Sequence, residues 1–120
     1  NKPVVGLNTK SGLFNFSPTA VAILQLKAGD QIVCHQEEEQ PDTWYLEKVT
    51  ANGFVLREKA NITKGLIFNN TALARAIAGS VDMGSQGGKV IISGEPLKLG
   101  KRTLWIVITA SLKKAHKWEE

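Results

Sequence analysis

Gly12-Leu13-Phe14-Asn15-Phe16-Ser17, running into the apolar stretch Pro18 to Leu26, has a counterpart 53 residues later. There, Gly65-Leu66-Ile67-Phe68-Asn69-Asn70 runs into Thr71 to Ala78. At this offset Gly12 matches Gly65, Leu13 matches Leu66, Ser17 matches Asn70, Ala20 matches Leu73 and Leu24 matches Ile77. Ser17 and Asn70 are good N-caps, because their side-chain oxygens accept from the first free helix N–H groups. Pro18 at the first helical position loses no useful hydrogen bond. Ala20, Val21 and Leu24 share one helical face, as do Leu73, Ala74 and Ile77. Each predicted helix has only about two turns and cannot persist alone in water. Both must therefore be held against strands.

Outward from these segments, each helix leads into two predicted strands. Asp30 to His35 and Trp44 to Val49 follow the first; Lys89 to Ser93 and Thr103 to Thr109 follow the second. The offset grows to 58 (Ile32 with Val90) and 60 (Trp44 with Leu104), as expected of a duplication whose loops lengthened at little thermodynamic cost. The turn Ala51-Asn52-Gly53 leads into a further alternating strand through Arg57, and Val4 to Asn8 reads as another. The expected fold is α+β: a β-rich, barrel-like domain made of two tandem β-α-β-β repeats with pseudo-twofold symmetry. Residues 1–110 form a single domain in this reading, with repeat one over 9–49, a linker strand over 53–58 and repeat two over 64–109. A basic tail, 111–120, follows.

The totals agree with one small domain. A chain of 120 residues with 42% hydrophobic and 22% charged residues supports one core and not two. The single cysteine, Cys34, rules out an intrachain disulfide and a cysteine zinc cluster, and fits a reducing, cytoplasmic setting. No apolar run reaches the roughly 18–20 residues that span a bilayer as a helix, and the opening residues lack a signal-peptide pattern. The sequons at Asn15, Asn61 and Asn69 are read as chance matches. Net charge is +4, but residues 1–60 sum to −1 and residues 61–120 to +5. From Lys98 to Lys117 there are six basic residues and no acidic one. Such asymmetry argues for an anionic partner.

Signs of catalysis are thin. Cys34 and His35 are adjacent on a predicted strand, so their side chains point to opposite faces and do not form one nucleophilic site. The carboxylates Asp30, Asp42, Glu47, Glu58, Asp82 and Glu95 fall in no acid–base motif, and Asp30 is explained by the turn at Gly29. Gly84-Ser85-Gln86-Gly87-Gly88 lacks the P-loop spacing and precedes a strand, so it reads as a connecting loop. Glu37-Glu38-Glu39, before Pro41-Asp42, reads as a solvated hairpin tip. Trp44, Tyr45 and Trp105 lie on predicted strands and are assigned to the core in preference to a base-stacking platform. The reading is of no enzyme, no cofactor and no metal.

Lys10-Ser11-Gly12-Leu13-Phe14-Asn15-Phe16, then Ala20 to Leu24, then Leu26-Lys27-Ala28-Gly29-Asp30-Gln31-Ile32, resembles the AbrB/MazE-type swapped-hairpin (cradle-loop barrel) domains. In that family a Lys-x-Gly strand leads to a short helix and a Lys-x-Gly-Asp turn into a hairpin. The resemblance covers residues 9–49 and implies a half-barrel that pairs with another half, here supplied by the repeat. The family's DNA-binding members use basic residues in and around the strand after the glycine. That neighbour is Leu13 here, and its counterpart is Leu66; only Lys10 and Lys64 precede the glycines. The second half carries Gly79-Ser80-Val81-Asp82 in place of the Lys-x-Gly-Asp turn.

The expected function is non-enzymatic binding of DNA or RNA, through phosphates more than base edges. The predicted contacts are Lys98, Lys101 and Arg102 at the last hairpin, Lys113, Lys114 and Lys117 after the final strand, and Lys10 and Lys64 beside the glycines. The alternative is a protein-interaction or structural module, such as a phage or mobile-element component, with a merely solvated basic tail. No membrane contact is expected. A homodimer is compatible with such a domain, since edge strands pair, but no residue pattern specifies one.

Overall fold

The computed structural model describes residues 3–41, 43–58, 65–80 and 87–108. In chain order these form β1 (Val4–Asn8), β2 (Leu13–Phe16), α1 (Pro18–Leu24), β3 (Gln31–Gln36), β4 (Trp44–Val49), β5 (Phe54–Val55) and β6 (Arg57–Glu58). There follow β7 (Leu66–Asn69), α2 (Thr71–Ser80), β8 (Gly87–Ile92), β9 (Leu97–Leu99) and β10 (Arg102–Ile108). The strands form one antiparallel sheet in the order β5-β3-β4-β10-β8-β1-β2-β7-β6, with β9 added to β10.

The two ends of that order are neighbours in the chain. β5 pairs with β3 (Gln31 opposite Val55), β6 pairs with β7 (Arg57 opposite Ile67), and only Leu56 separates them. Leu56 is 1% exposed; its N–H donates to the Asp30 carbonyl and its own carbonyl accepts from Gly29 N–H, both at 2.8 Å. The sheet thus curls into a nearly closed, strand-rich barrel with two helices, as the β-rich barrel expectation requires. The linker strand expected as one piece is two short strands hinged at a buried leucine. Closure also leaves few unpaired strand edges, which would otherwise invite association.

Local chemistry explains the helices. Ser17 Oγ accepts from Ala20 N–H at 3.2 Å and from Val4 N–H at 3.0 Å, so one side chain caps α1 and ties it to β1. Asn70 Oδ1 caps α2 through Leu73 N–H at 2.8 Å. α1 stops at Leu24, two residues short of its expected end. Gln25 adopts a left-handed conformation (φ 55°), its N–H bonds Ala22 O, and Leu26 N–H bonds Val21 O at 2.9 Å. That is a Schellman closure with glutamine in the place where glycine is usual. α2 runs two residues past Ala78, to Ser80.

Gly12 is where the β1–β2 turn meets the start of α2. Its φ is +75°, and a Cβ there would lie 2.5 Å from Thr71 N. Only glycine fits such an approach. One further expectation is corrected. Gly87 and Gly88, read as loop, are strand and pair with Asn8 and Leu7 of β1. The sequons at Asn15 and Asn69 lie within β2 and β7, and the Asn69 amide donates to the Ser11 carbonyl at 3.2 Å. Asn61 lies outside the described residues. Among the described residues, no helix is long and apolar enough to cross a membrane.

Candidate functional site

Side chains alternate along a strand, so register decides which basic residues share a face. Lys98 of β9 pairs with Thr103 of β10, and Trp105 of β10 pairs with Leu46 of β4. Thr103 and Trp105 share a face, as do Leu46 and Lys48; cross-strand pairing joins Lys98 and Lys48 to that set. The C-terminal end of α1 closes one side. The result is an open cleft of about 520 Å³ whose walls include Gln25, Lys48, Lys98, Lys101, Thr103 and Trp105. Glu47 and Arg102 also border it.

Four of its border residues are basic and one is acidic, and that acid is already engaged. Arg102 Nε donates to Glu47 Oε2 at 2.9 Å and Arg102 Nη2 to Glu47 Oε1 at 2.8 Å, a bidentate pair. His35 Nε2 lies 2.8 Å from Glu47 Oε1 and 3.3 Å from Arg102 Nη2. The Arg102 hydrogen bond, aided by His35 and opposed by partial burial, lowers the Glu47 pKa from 4.5 to about 2. Lys48 Nζ is 3.3 Å from Asp30 Oδ2 and 3.2 Å from the Gln25 carbonyl, with the side chain 44% exposed. Lys98 and Lys101 are exposed.

The Glu47 cluster has a pH consequence. A carboxylate whose folded-state pKa is depressed adds stability that is complete above its unfolded value. That stability is lost as pH falls from about 4.5 towards about 2. Urea midpoints of Glu47→Gln should be lower than wild type at pH 7, with the gap closing by pH 2.5. An equal gap at both pH values would show that the Glu47 charge is not the cause.

Lys98, Lys101 and Arg102 all border the cleft, but Arg102 is spoken for by Glu47. Lys10 does not line the cleft. It is exposed on the β1–β2 turn, where its backbone N–H donates to Asn8 Oδ1 at 2.8 Å. Lys64, Lys113, Lys114 and Lys117 lie outside the described residues. Sequence reasoning missed Lys48, for no signal links it to residues 50 positions later. Trp44 is core, 4% exposed, and its indole N–H donates to Ser80 Oγ at 2.8 Å. Trp105 is only partly buried, packs against the core and borders the cleft. Desolvation raises the Cys34 pKa to about 12, so the thiol stays protonated at neutral pH and is a poor nucleophile.

A second hollow, of about 490 Å³, is bordered by His35, Glu37, Glu38, Glu39, Tyr45 and Leu97. Nearby Leu97, Leu99 and Ile106 are 39%, 51% and 36% exposed. No protein-family model matches the chain, no curated protein matches it, and no solved structure matches it.

Proposed function

We propose that this chain is a non-enzymatic nucleic-acid-binding protein that grips phosphates through the basic cleft. One observation carries the reading: the exposed Lys98 and Lys101 border one open cleft, where Glu47 is paired with Arg102 and Lys48 with Asp30, so these two lysines are the ammonium groups left to meet phosphates there among the described residues. Lysine supplies a mobile point charge suited to phosphate oxygens, and such contacts are indifferent to sequence. Arg102 is a fixed wall of the site and Lys10 a peripheral contact. The test is binding of labelled single- and double-stranded oligonucleotides at 50 mM salt. Absence of binding to either would retire the proposal.

The same reading treats the chain as two tandem β-α-β-β repeats of the AbrB/MazE kind, folded about an approximate dyad. The strand order supports it. Leaving β9 aside, exchanging β2 with β7, β3 with β8, β4 with β10, and β1 with the β5–β6 pair leaves the pairing order unchanged. β2 pairs with β7 and β4 with β10, while β1 lies between β2 and β8 as β5–β6 lies between β7 and β3.

The exposed apolar group Leu97, Leu99 and Ile106 favours a second reading, a protein-interaction module. Apolar patches beside polar rims commonly mark partner surfaces. Under that reading, Leu99→Ser disrupts partner or self-association, and the wild-type protein does not bind oligonucleotides at 50 mM salt.

A further inference from the structure

We infer that the cleft takes a single-stranded nucleic acid, with one unpaired base stacked on Trp105; this rests on the phosphate reading above. Three observations point the same way. First, Trp105 differs from Trp44. Trp44 is buried with its indole N–H bonded to Ser80, whereas Trp105 is partly buried against the core and borders the cleft. Second, its backbone is fixed on one side by β4, through the Leu46 pairing, and its side chain packs against the core, so the ring is partly ordered before any ligand arrives. A pre-ordered ring loses little freedom on stacking. Third, the cleft of about 520 Å³ falls within the roughly 300–1,000 Å³ range of small-ligand sites. It is therefore large enough for a nucleotide.

The polar groups lie where such a ligand needs them. Lys98 is opposite Thr103, two residues from Trp105 along one face, and Lys101 stands at the hairpin tip. Lys48, on β4, borders the cleft but is paired with Asp30. A base laid on the indole would leave its flanking phosphates within reach of the Lys98 and Lys101 ammonium groups. Every base has a π-face, so the stack is tolerant of sequence. A duplex would have to unpair and swing out a base to use the same ring, and that cost disfavours it.

The experiment compares a thymine oligonucleotide with a duplex of the same length at 50 mM salt, for wild type, Trp105→Leu and Trp105→Phe. Leucine keeps apolar bulk against the core without an aromatic face; phenylalanine keeps the face. Circular dichroism melts confirm that each variant folds. The expected result is tighter wild-type binding to the single strand. Trp105→Leu should lose about five- to a hundredfold on the single strand, the worth of one stacked base, while Trp105→Phe keeps most of the affinity. Duplex affinity should hardly change. Equal single-strand affinity for wild type and Trp105→Leu would overturn the stacking inference, although salt-sensitive binding would leave the phosphate reading standing. No binding of either oligonucleotide would overturn both.

Discussion

Lys98→Glu/Lys101→Glu should cut single-strand affinity by roughly sixtyfold or more at 50 mM salt. The size follows from counterion release. Affinity for a single strand varies as salt concentration raised to about −0.7 for each neutralised phosphate. Two contacts removed at 50 mM are then worth roughly sixtyfold, before any repulsion from the new carboxylates. The loss should shrink as salt rises, because what is removed is electrostatic. Both lysines are exposed on the β9–β10 hairpin, so the fold should survive and the melting temperature should barely move. The control is Lys10→Glu, on the β1–β2 turn away from the cleft, which should cost far less. Fluorescence anisotropy at 50 and 200 mM salt checks both variants. Equal losses from the two sites would mean that general positive charge, and not the cleft, attracts the ligand.

Phe68→Ala should have the largest effect on stability, about 3–5 kcal/mol. Phe68 is 2% exposed and lies between two parallel rings. Phe14 stacks on it at 4.4 Å between centroids and Phe54 at 4.9 Å, with interplanar angles of 9° and 4°. Phe16 adds a tilted contact at 6.2 Å. These rings come from β2, β5 and β7, so truncation removes contacts that join the barrel seam to the β2–β7 pair. Domains of this size have about 5–15 kcal/mol in all, and the melting temperature should drop by about 10–20 °C. Thermal unfolding followed by circular dichroism measures it. A drop under 5 °C would mean that the stack contributes little and the core collapses around the gap.

The parts legible in the sequence are the local ones. The capping residues Ser17 and Asn70, the Asn52 turn and the alternating strands each follow from residues within a few positions. Barrel closure was not legible. A residue such as Leu56 looks like any strand leucine until its two neighbours are found to pair with opposite ends of the sheet. The early stop of α1 was hidden because glutamine, not glycine, takes the left-handed position.

The site divides in the same way. Lys98, Lys101 and Arg102 stood out because they are close in sequence and no acid intervenes. The ion pair that commits Arg102 to Glu47 joins residues 55 apart, and period-two patterning does not say which strand lies beside which. Lys48 joins the cleft through that same β4–β10 pairing. Trp105 was assigned to the core because its neighbours Leu104, Ile106 and Val107 are apolar; only its place at the edge of the cleft separates it from them.

The central claim is that lysine ammonium groups in the cleft hold phosphates. Its most direct measurement is the affinity of wild-type protein for a labelled single strand across a salt series. With Lys98 and Lys101 each engaging one phosphate, log affinity plotted against log salt should fall with a slope of about −1.4. A flat line, or no binding at the lowest salt, would contradict it.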